Sequence, residues 1–384
     1  MPDSAAQAHS VKVQEAIKQQ ISAVGPIPFS TFLQLVLHEP GLGYYATGSQ
    51  KLGEGGDFVT APELSPLFGQ CLAVQCQEAL TETGGDILEI GAGSGQLALS
   101  ILTSLGASGV EFAGHYLILE TSADLAQRQQ QLLADSLAPS VMDRCRWLTG
   151  LPSEFTGVVL ANEVIDAMPI ERFVIAADGV KQWFVAQKDN ELLVALQPAS
   201  PEVLEAVKHL QADLPAPLPV GYCSEVNLLL QPWVRGLSDS MIRGLCLLID
   251  YGYPRTEYYL PDRMSGTLRC YFQHRTHDNP FWYPGAQDIT CDVDFTALAE
   301  AADAAGLALH GYTSQGQFLL GNGLAEQGKL SADASDGERF ALARDIQTLT
   351  MASGMGERFQ VMGLSRDLDA SLSGFSGFDQ SHRL

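Results

Sequence analysis

The chain has 384 residues, 46% of them hydrophobic, and its 22 Lys+Arg against 45 Asp+Glu leave a formal net charge of −23. Such a chain can bury a sizeable core in two domains or one elaborated domain, which excludes intrinsic disorder. The acidic balance argues against neutralising nucleic-acid phosphates and against docking on anionic lipid, but is compatible with a basic protein partner.

The longest apolar runs, such as Leu245-Cys246-Leu247-Leu248-Ile249, are too short to span a bilayer, so no membrane insertion is expected. Met1 to Ser10 has neither the basic and apolar regions of a signal peptide nor the arginines of a transit peptide, which predicts a cytoplasmic protein. Seven cysteines without a CxxC pair read as reduced thiols, neither a disulfide framework nor a zinc site.

In chain order, residues 11–37 read as helix broken at Gly25-Pro26-Ile27-Pro28, with Phe29, Phe32, Leu33 and Val36 on one face of the second part. A Gly- and Pro-rich loop from Glu39 to Pro62 follows, and long loops in compact domains tend to be functional. Helix is predicted over 64–82. From Asp86 short apolar runs alternate with helical patterns, as in a parallel sheet with crossover helices. The predicted order is strand 87–90, helix 95–105, strand 115–119, helix 122–136, a short strand 145–148 and a buried strand 157–160. Residues 172–196 alternate around Asp178-Gly179 and Asp189-Asn190, the pattern of antiparallel hairpins. Helices at 201–211 and 224–242 lead to a buried strand at 245–249. A helix at 294–305 and strands near 307–312 and 316–321 complete the sheet, leaving a tail with helices near 336–350 and 355–363.

Strand Ile87–Ile90 runs directly into Gly91-Ala92-Gly93-Ser94-Gly95, where glycines let the backbone turn tightly and approach a ligand. Two readings fit. Gly93-Ser94-Gly95-Gln96-Leu97-Ala98 satisfies a dinucleotide fingerprint. The acid-x-Gly-x-Gly-x-Gly pattern from Glu89 to Gly95 is instead the form used for S-adenosylmethionine (SAM), with Glu89 helping to hold the cofactor's amino-acid end. Glu120, 25 residues after Gly95 at the tip of the next strand, can accept hydrogen bonds from both hydroxyls of a ribose, which NAD and SAM share. The buried strand ending at Leu160 delivers Asn162, Glu163 and Asp166 to the crevice where open α/β sheets bind ligands. Asn162 offers a donor and an acceptor, while Glu163 and Asp166 make a negative field suited to a cationic acceptor or to taking a proton. An ordinary helix cap is an alternative for Asp166.

Several segments together resemble the MidA/NDUFAF7 (DUF185) family over most of the chain. They are His38-Glu39-Pro40-Gly41-Leu42-Gly43-Tyr44-Tyr45, Gly56-Asp57-Phe58-Val59-Thr60-Ala61-Pro62-Glu63, the glycine motif, Ala161-Asn162-Glu163 with Asp166, Asp250-Tyr251-Gly252, Asp288-Ile289-Thr290 with Asp292-Val293-Asp294-Phe295, and Met355-Gly356-Glu357-Arg358-Phe359. The resemblance implies a seven-stranded, Rossmann-like α/β methyltransferase core, an N-terminal helical cap and an insertion after the fourth strand. Residues 1–82 would then form the cap and glycine-rich loop, 83–171 the first half of the core, 172–242 the insertion, 243–324 the second half and 325–384 a helical tail.

The resemblance further implies a SAM-dependent protein-arginine N-methyltransferase acting on a protein such as a subunit of respiratory complex I. Glu163 would orient the acceptor, with Asp166 or Asp250 assisting or accepting the proton. Gly91, Ala92, Gly93, Gly95, Glu89, Glu120 and Asn162 would hold the cofactor. Asp57 and Phe58 would close over it, although a turn and a core anchor explain those two equally well. Tyr44 and Tyr45 offer an aromatic wall for a cation. No metal is expected: His274 and His277 lack a third ligand at suitable spacing, and Asp294 reads as a helix cap. Unpaired hairpin edges in the insertion make a homodimer an expectation. Three other readings stand beside this one: an assembly factor with a vestigial cofactor site, a small-molecule methyltransferase and an NAD-dependent oxidoreductase.

Overall fold

The computed structural model describes residues 4–46, 60–107, 112–273, 275–329 and 334–384. Its centre is a sheet of seven long strands: β1 (Asp86–Ile90), β2 (Tyr116–Leu119), β3 (Cys145–Leu148), β4 (Phe155–Asn162), β5 (Met241–Tyr253), β6 (Ala308–Ser314) and β7 (Phe359–Arg366). They lie in the order β3-β2-β1-β4-β5-β7-β6, and a two-residue strand, Val293–Asp294, pairs with the end of β5. The first five strands are mutually parallel, whereas β7 runs antiparallel to both β5 and β6.

Helices cover both faces of this sheet, which is why β4 and β5 read as continuous apolar runs rather than alternating ones. Val158, Leu160, Leu245, Leu247 and Ile249 pack on one face with the helices Pro66–Thr83 and Gln96–Ala107. Val159, Ala161, Cys246 and Leu248 pack on the other with Leu230–Ser240 and Phe295–Ala304. Strand order reverses between β1 and β4, and the crevice for ligands in such sheets opens at the carboxyl ends of the strands there.

A second, five-stranded sheet joins Ile27–Pro28, Glu171–Ala176, Gly179–Lys188, Glu191–Pro198 and Cys223–Val226. Asp189 and Asn190 turn its hairpin at φ +51° and +69°, as the Asp-Asn pair predicts. This sheet packs with the N-terminal helix Ser4–Val24 and with a small three-stranded sheet, Arg269–Phe272, Arg275–His277 and Asp288–Thr290, around Ile17, Phe29, Phe32, Val185, Cys270 and Ile289. Among the described residues, no helix is long and apolar enough to cross a membrane.

Three sequence expectations are corrected. The predicted helix over 224–242 is strand at Cys223–Val226 and helix only at Leu230–Ser240. Buried Glu225 lies opposite Arg172 in the ladder and pairs with it at 3.0 Å, so a polar stretch is an interior strand. The strand expected near 316–321 is a helix, Gln315–Gly321. The helix expected near 355–363 is β7, which sits between β5 and β6, so residues 325–384 are not a purely helical tail. Because β7 is buried on both faces, it carries no two-residue alternation to betray it.

Candidate active site

Sheet register assembles the site. Ile90 lies opposite both Leu119 and Ala161, and Asn162 lies opposite Ile249. Gly91, Glu120 and Glu163, which follow, therefore leave the sheet close together, with Asp250 beside them while still inside β5. Gly91, Gly93 and Gly95 take φ values of +67°, +55° and +90°, a path that side chains disfavour. Ala92 is buried and anchors the loop in the core. The Ser94 hydroxyl donates to Glu63, which ties the loop to the short helix Ala61–Leu64.

Glu89 is buried beneath this loop and accepts a hydrogen bond from the Tyr116 hydroxyl at 2.7 Å; burial pushes its carboxyl up to about 7. Glu120 accepts from the Ser122 amide (2.8 Å) and from the Gln129 side-chain amide (3.0 Å), and burial raises its pKa. Gln129 also donates to the Gly93 carbonyl at 2.9 Å, and its own oxygen accepts from the Trp147 indole at 3.0 Å. It thus fastens the second-strand carboxylate to the glycine loop. Sequence reasoning missed Gln129. The available signal was a polar residue one helical turn before buried Leu133, on the apolar face of its helix.

Beyond β4, Asn162 donates to Glu163 at 3.2 Å, while its own side-chain oxygen is buried with no hydrogen-bond partner among the described residues. Glu163 has φ +53°, a left-handed conformation that costs a non-glycine residue roughly 1–3 kcal/mol and clusters at functional sites. Burial, and then the nearby charge of Asp166, push its carboxyl up to about 8. Asp166 accepts from the Tyr251 hydroxyl at 2.5 Å, its other oxygen is buried without a partner among the described residues, and burial pushes it up to about 6.

Asp250 is occupied differently. One oxygen accepts from the amides of Ile165 (3.0 Å) and Asp166 (3.1 Å), and the other from the amide of Tyr251 (2.9 Å). Its carboxylate fastens the turn after β4 to β5, and burial drives its pKa well up. A further wall comes from the cap. Tyr45 donates to Asp288 at 2.7 Å, stacks on His38 (5.6 Å between centroids) and meets Tyr44 edge-on. His38, the last residue of the π-helical turn Gln34–His38, donates from Nε2 to the Ala167 carbonyl at 2.9 Å. The sequence showed His38 and Asp288 only as members of segments that resemble the family, with Asp288 no more than superficially like a cation ligand, because the cap and the small sheet bring them to the site only on folding.

Asp57, Phe58 and His274 lie outside the described residues. His277 stacks on Trp282, and Asp294 caps the helix Phe295–Ala304 by accepting from the amides of Thr296 and Ala297. Among the described residues, His209, Asp213 and Glu300 are close enough together to hold a cation, but the Arg255 guanidinium already bonds both Asp213 and Glu300.

The crevice suits an adenosine-containing cofactor with an amino-acid end. A backbone path open to close approach, a carboxylate at the tip of the second strand and a buried amide oxygen with no donor among the described residues are all present. Fold and site together define a SAM-dependent methyltransferase. Comparison with known proteins agrees: residues 71–313 match the profile of a family of S-adenosyl-L-methionine-dependent methyltransferases, and the chain belongs to that family. A COG1565 superfamily member from Burkholderia thailandensis, solved with S-adenosyl-homocysteine bound, is 39% identical over 100% of this chain and 99% of its own, with a TM-score of 0.93. The mitochondrial protein arginine methyltransferase NDUFAF7 is 28% identical in Danio rerio (90% of this chain, 84% of the relative) and 26% identical in Homo sapiens (90% and 81%). The cytoplasmic location expected from the sequence is overturned, because these relatives are named as mitochondrial proteins.

Proposed function

We propose that the protein methylates an arginine side chain of another protein, with a subunit of respiratory complex I as the first candidate from the family resemblance. The observation carrying this reading is Glu163, a carboxylate held in left-handed backbone at the tip of β4, beside a second carboxylate and under an aromatic wall. The arginine methyltransferase names of the curated relatives support the choice of acceptor.

Gly91, Ala92, Gly93 and Gly95 would cradle the cofactor with Glu89 beneath them. Glu120 would take the ribose hydroxyls, and Asn162 the ammonium of the amino-acid end through its unpartnered oxygen. Bound there, SAM supplies a methyl group already activated on a sulfonium. What remains for the protein is to align an acceptor nitrogen within about 3 Å of it. A guanidinium is a poor nucleophile because it stays protonated, with a pKa above about 12. Glu163 would accept two of its N–H groups, orient the plane and draw charge away from the third nitrogen. Asp166, with one buried oxygen unpartnered, would take the proton released on transfer. Asp250, whose oxygens both face backbone amides, would act as a positioning residue that holds the Glu163–Asp166 turn.

The test is transfer of an isotopically labelled methyl from SAM into lysate of cells lacking the protein. Glu163→Gln keeps the shape and removes the charge, so it should abolish methylarginine formation while leaving S-adenosylhomocysteine affinity at the wild-type level. Undiminished turnover in that variant, or label confined to small molecules, refutes the assignment.

A further inference from the structure

We propose that Asp288, held by Tyr45, is a second carboxylate contact for the acceptor's cationic side chain, completing with Glu163 and Asp166 a pocket that selects a guanidinium over an ammonium. The inference deepens the acceptor reading above and rests on it.

Folding brings together three segments that lie far apart in sequence. The turn after β4 carries Glu163 and Asp166, the strand Asp288–Thr290 carries Asp288, and the cap carries His38 and Tyr45. The Tyr45 hydroxyl donates to Asp288, and its ring stacks on His38, which is bonded in turn to the carbonyl following Asp166. Tyr45 feels the charges of both Asp288 and Asp166, and the charge of Asp288 reaches Glu163. Asp288 and Asp166 therefore flank one phenol, with Glu163 close to both carboxylates, and their mutual repulsion would be relieved by a bound cation.

A second observation points the same way. Asp166 is 6% exposed, yet one of its oxygens has no hydrogen-bond donor among the described residues. A buried acceptor without a donor is costly, and a ligand bearing several N–H groups would satisfy it. A guanidinium presents five donors in a planar fork and stacks on aromatic faces, which matches carboxylates on separate walls beside Tyr45 and Tyr251. An ammonium is a compact point charge that one carboxylate serves. A carboxylate offers four acceptor positions, so the Tyr45 bond that fixes Asp288 does not preclude a contact with a ligand.

The probe is N-acetyl-arginine methylamide, titrated by calorimetry into protein loaded with S-adenosylhomocysteine, with N-acetyl-lysine methylamide as the comparison. Asp288→Asn should weaken the arginine probe about tenfold or more, the loss expected for a charge-assisted contact. Tyr45→Phe keeps the carboxylate and removes its tether, so a loss of about two- to threefold is expected. Both variants should bind S-adenosylhomocysteine as wild type does, which reports an intact fold. The inference is overturned by equal probe affinity in wild type and Asp288→Asn, by no preference over the lysine probe, or by a probe that wild type does not bind. Failure of the parent reading looks different: probe binding that depends on Asp288, with no methylarginine formed in lysate, refutes arginine transfer and leaves the cation contact standing.

Discussion

At the scale of single residues, the site is a set of carboxylates whose protonation is controlled by depth. Burial holds the Glu163 carboxyl up to about 8, so at neutral pH a substantial part of it is protonated and cannot fork onto a guanidinium. Transfer at low acceptor concentration should therefore rise with pH, approaching tenfold per unit below about 8, and level off above it. A pH profile of kcat/KM between 6 and 9 checks this, and a flat profile removes Glu163 from the titrating role. Stability should move the opposite way. Between its ordinary value near 4.5 and about 8, Glu163 binds more protons in the folded chain than in the unfolded one. Its contribution is fully present below that window and is lost as pH rises through it. Urea unfolding of the ligand-free protein at pH 5, 7 and 8.5 reads that slope.

At the scale of elements, the parts that hold the site are themselves polar and buried. The strand Cys223–Val226 carries Glu225, paired at 3.0 Å with Arg172, whose guanidinium also lies 4.1 Å over the Trp183 ring. Replacing one member leaves the other charged in the interior without its counter-ion. Arg172→Met should cost about 3–5 kcal/mol in urea unfolding, whereas an exposed pair such as Arg128–Asp124 should cost under about 1 kcal/mol. Equal effects from the two would show that the insertion gains nothing from its buried pair. The turn after β4 follows the same logic: three amides converge on Asp250, and this lets Glu163 keep its left-handed backbone.

At the scale of the whole molecule, the sheet is closed by chain that arrives last. β7 forms the ladder between β5 and β6, so a chain ending before Phe359 exposes two long, apolar strand edges. Such a truncation should be insoluble or unfolded, and its far-UV circular dichroism together with sedimentation would show it. A soluble, folded product that binds S-adenosylhomocysteine would mean that β7 is dispensable.

Much of this protein was legible along the chain. Ile87–Ile90 followed by three glycines, Glu120 at the next strand tip and Asn162-Glu163 at the end of a buried run are local signals, because one strand and its following turn carry each of them. The Asp189-Asn190 turn and the Asp294 cap were equally local. Residues whose meaning depends on distant partners were not legible in that way. Gln129 matters through Gly93 and Glu120, Asp250 through the amides of Ile165 and Asp166, and Asp288 through Tyr45. The same division explains the misread elements: β7 and the strand at 223–226 are specified by what lies on either side of them in space. Sequence by itself determined the strands of the first half of the sheet and the glycine turn that follows Ile90, since backbone preference and hydrophobic period act over a few residues. Only tertiary structure decided which carboxylates lie near one another, because that depends on sheet register and on the cap residues His38 and Tyr45, which bond the Ala167 carbonyl and Asp288.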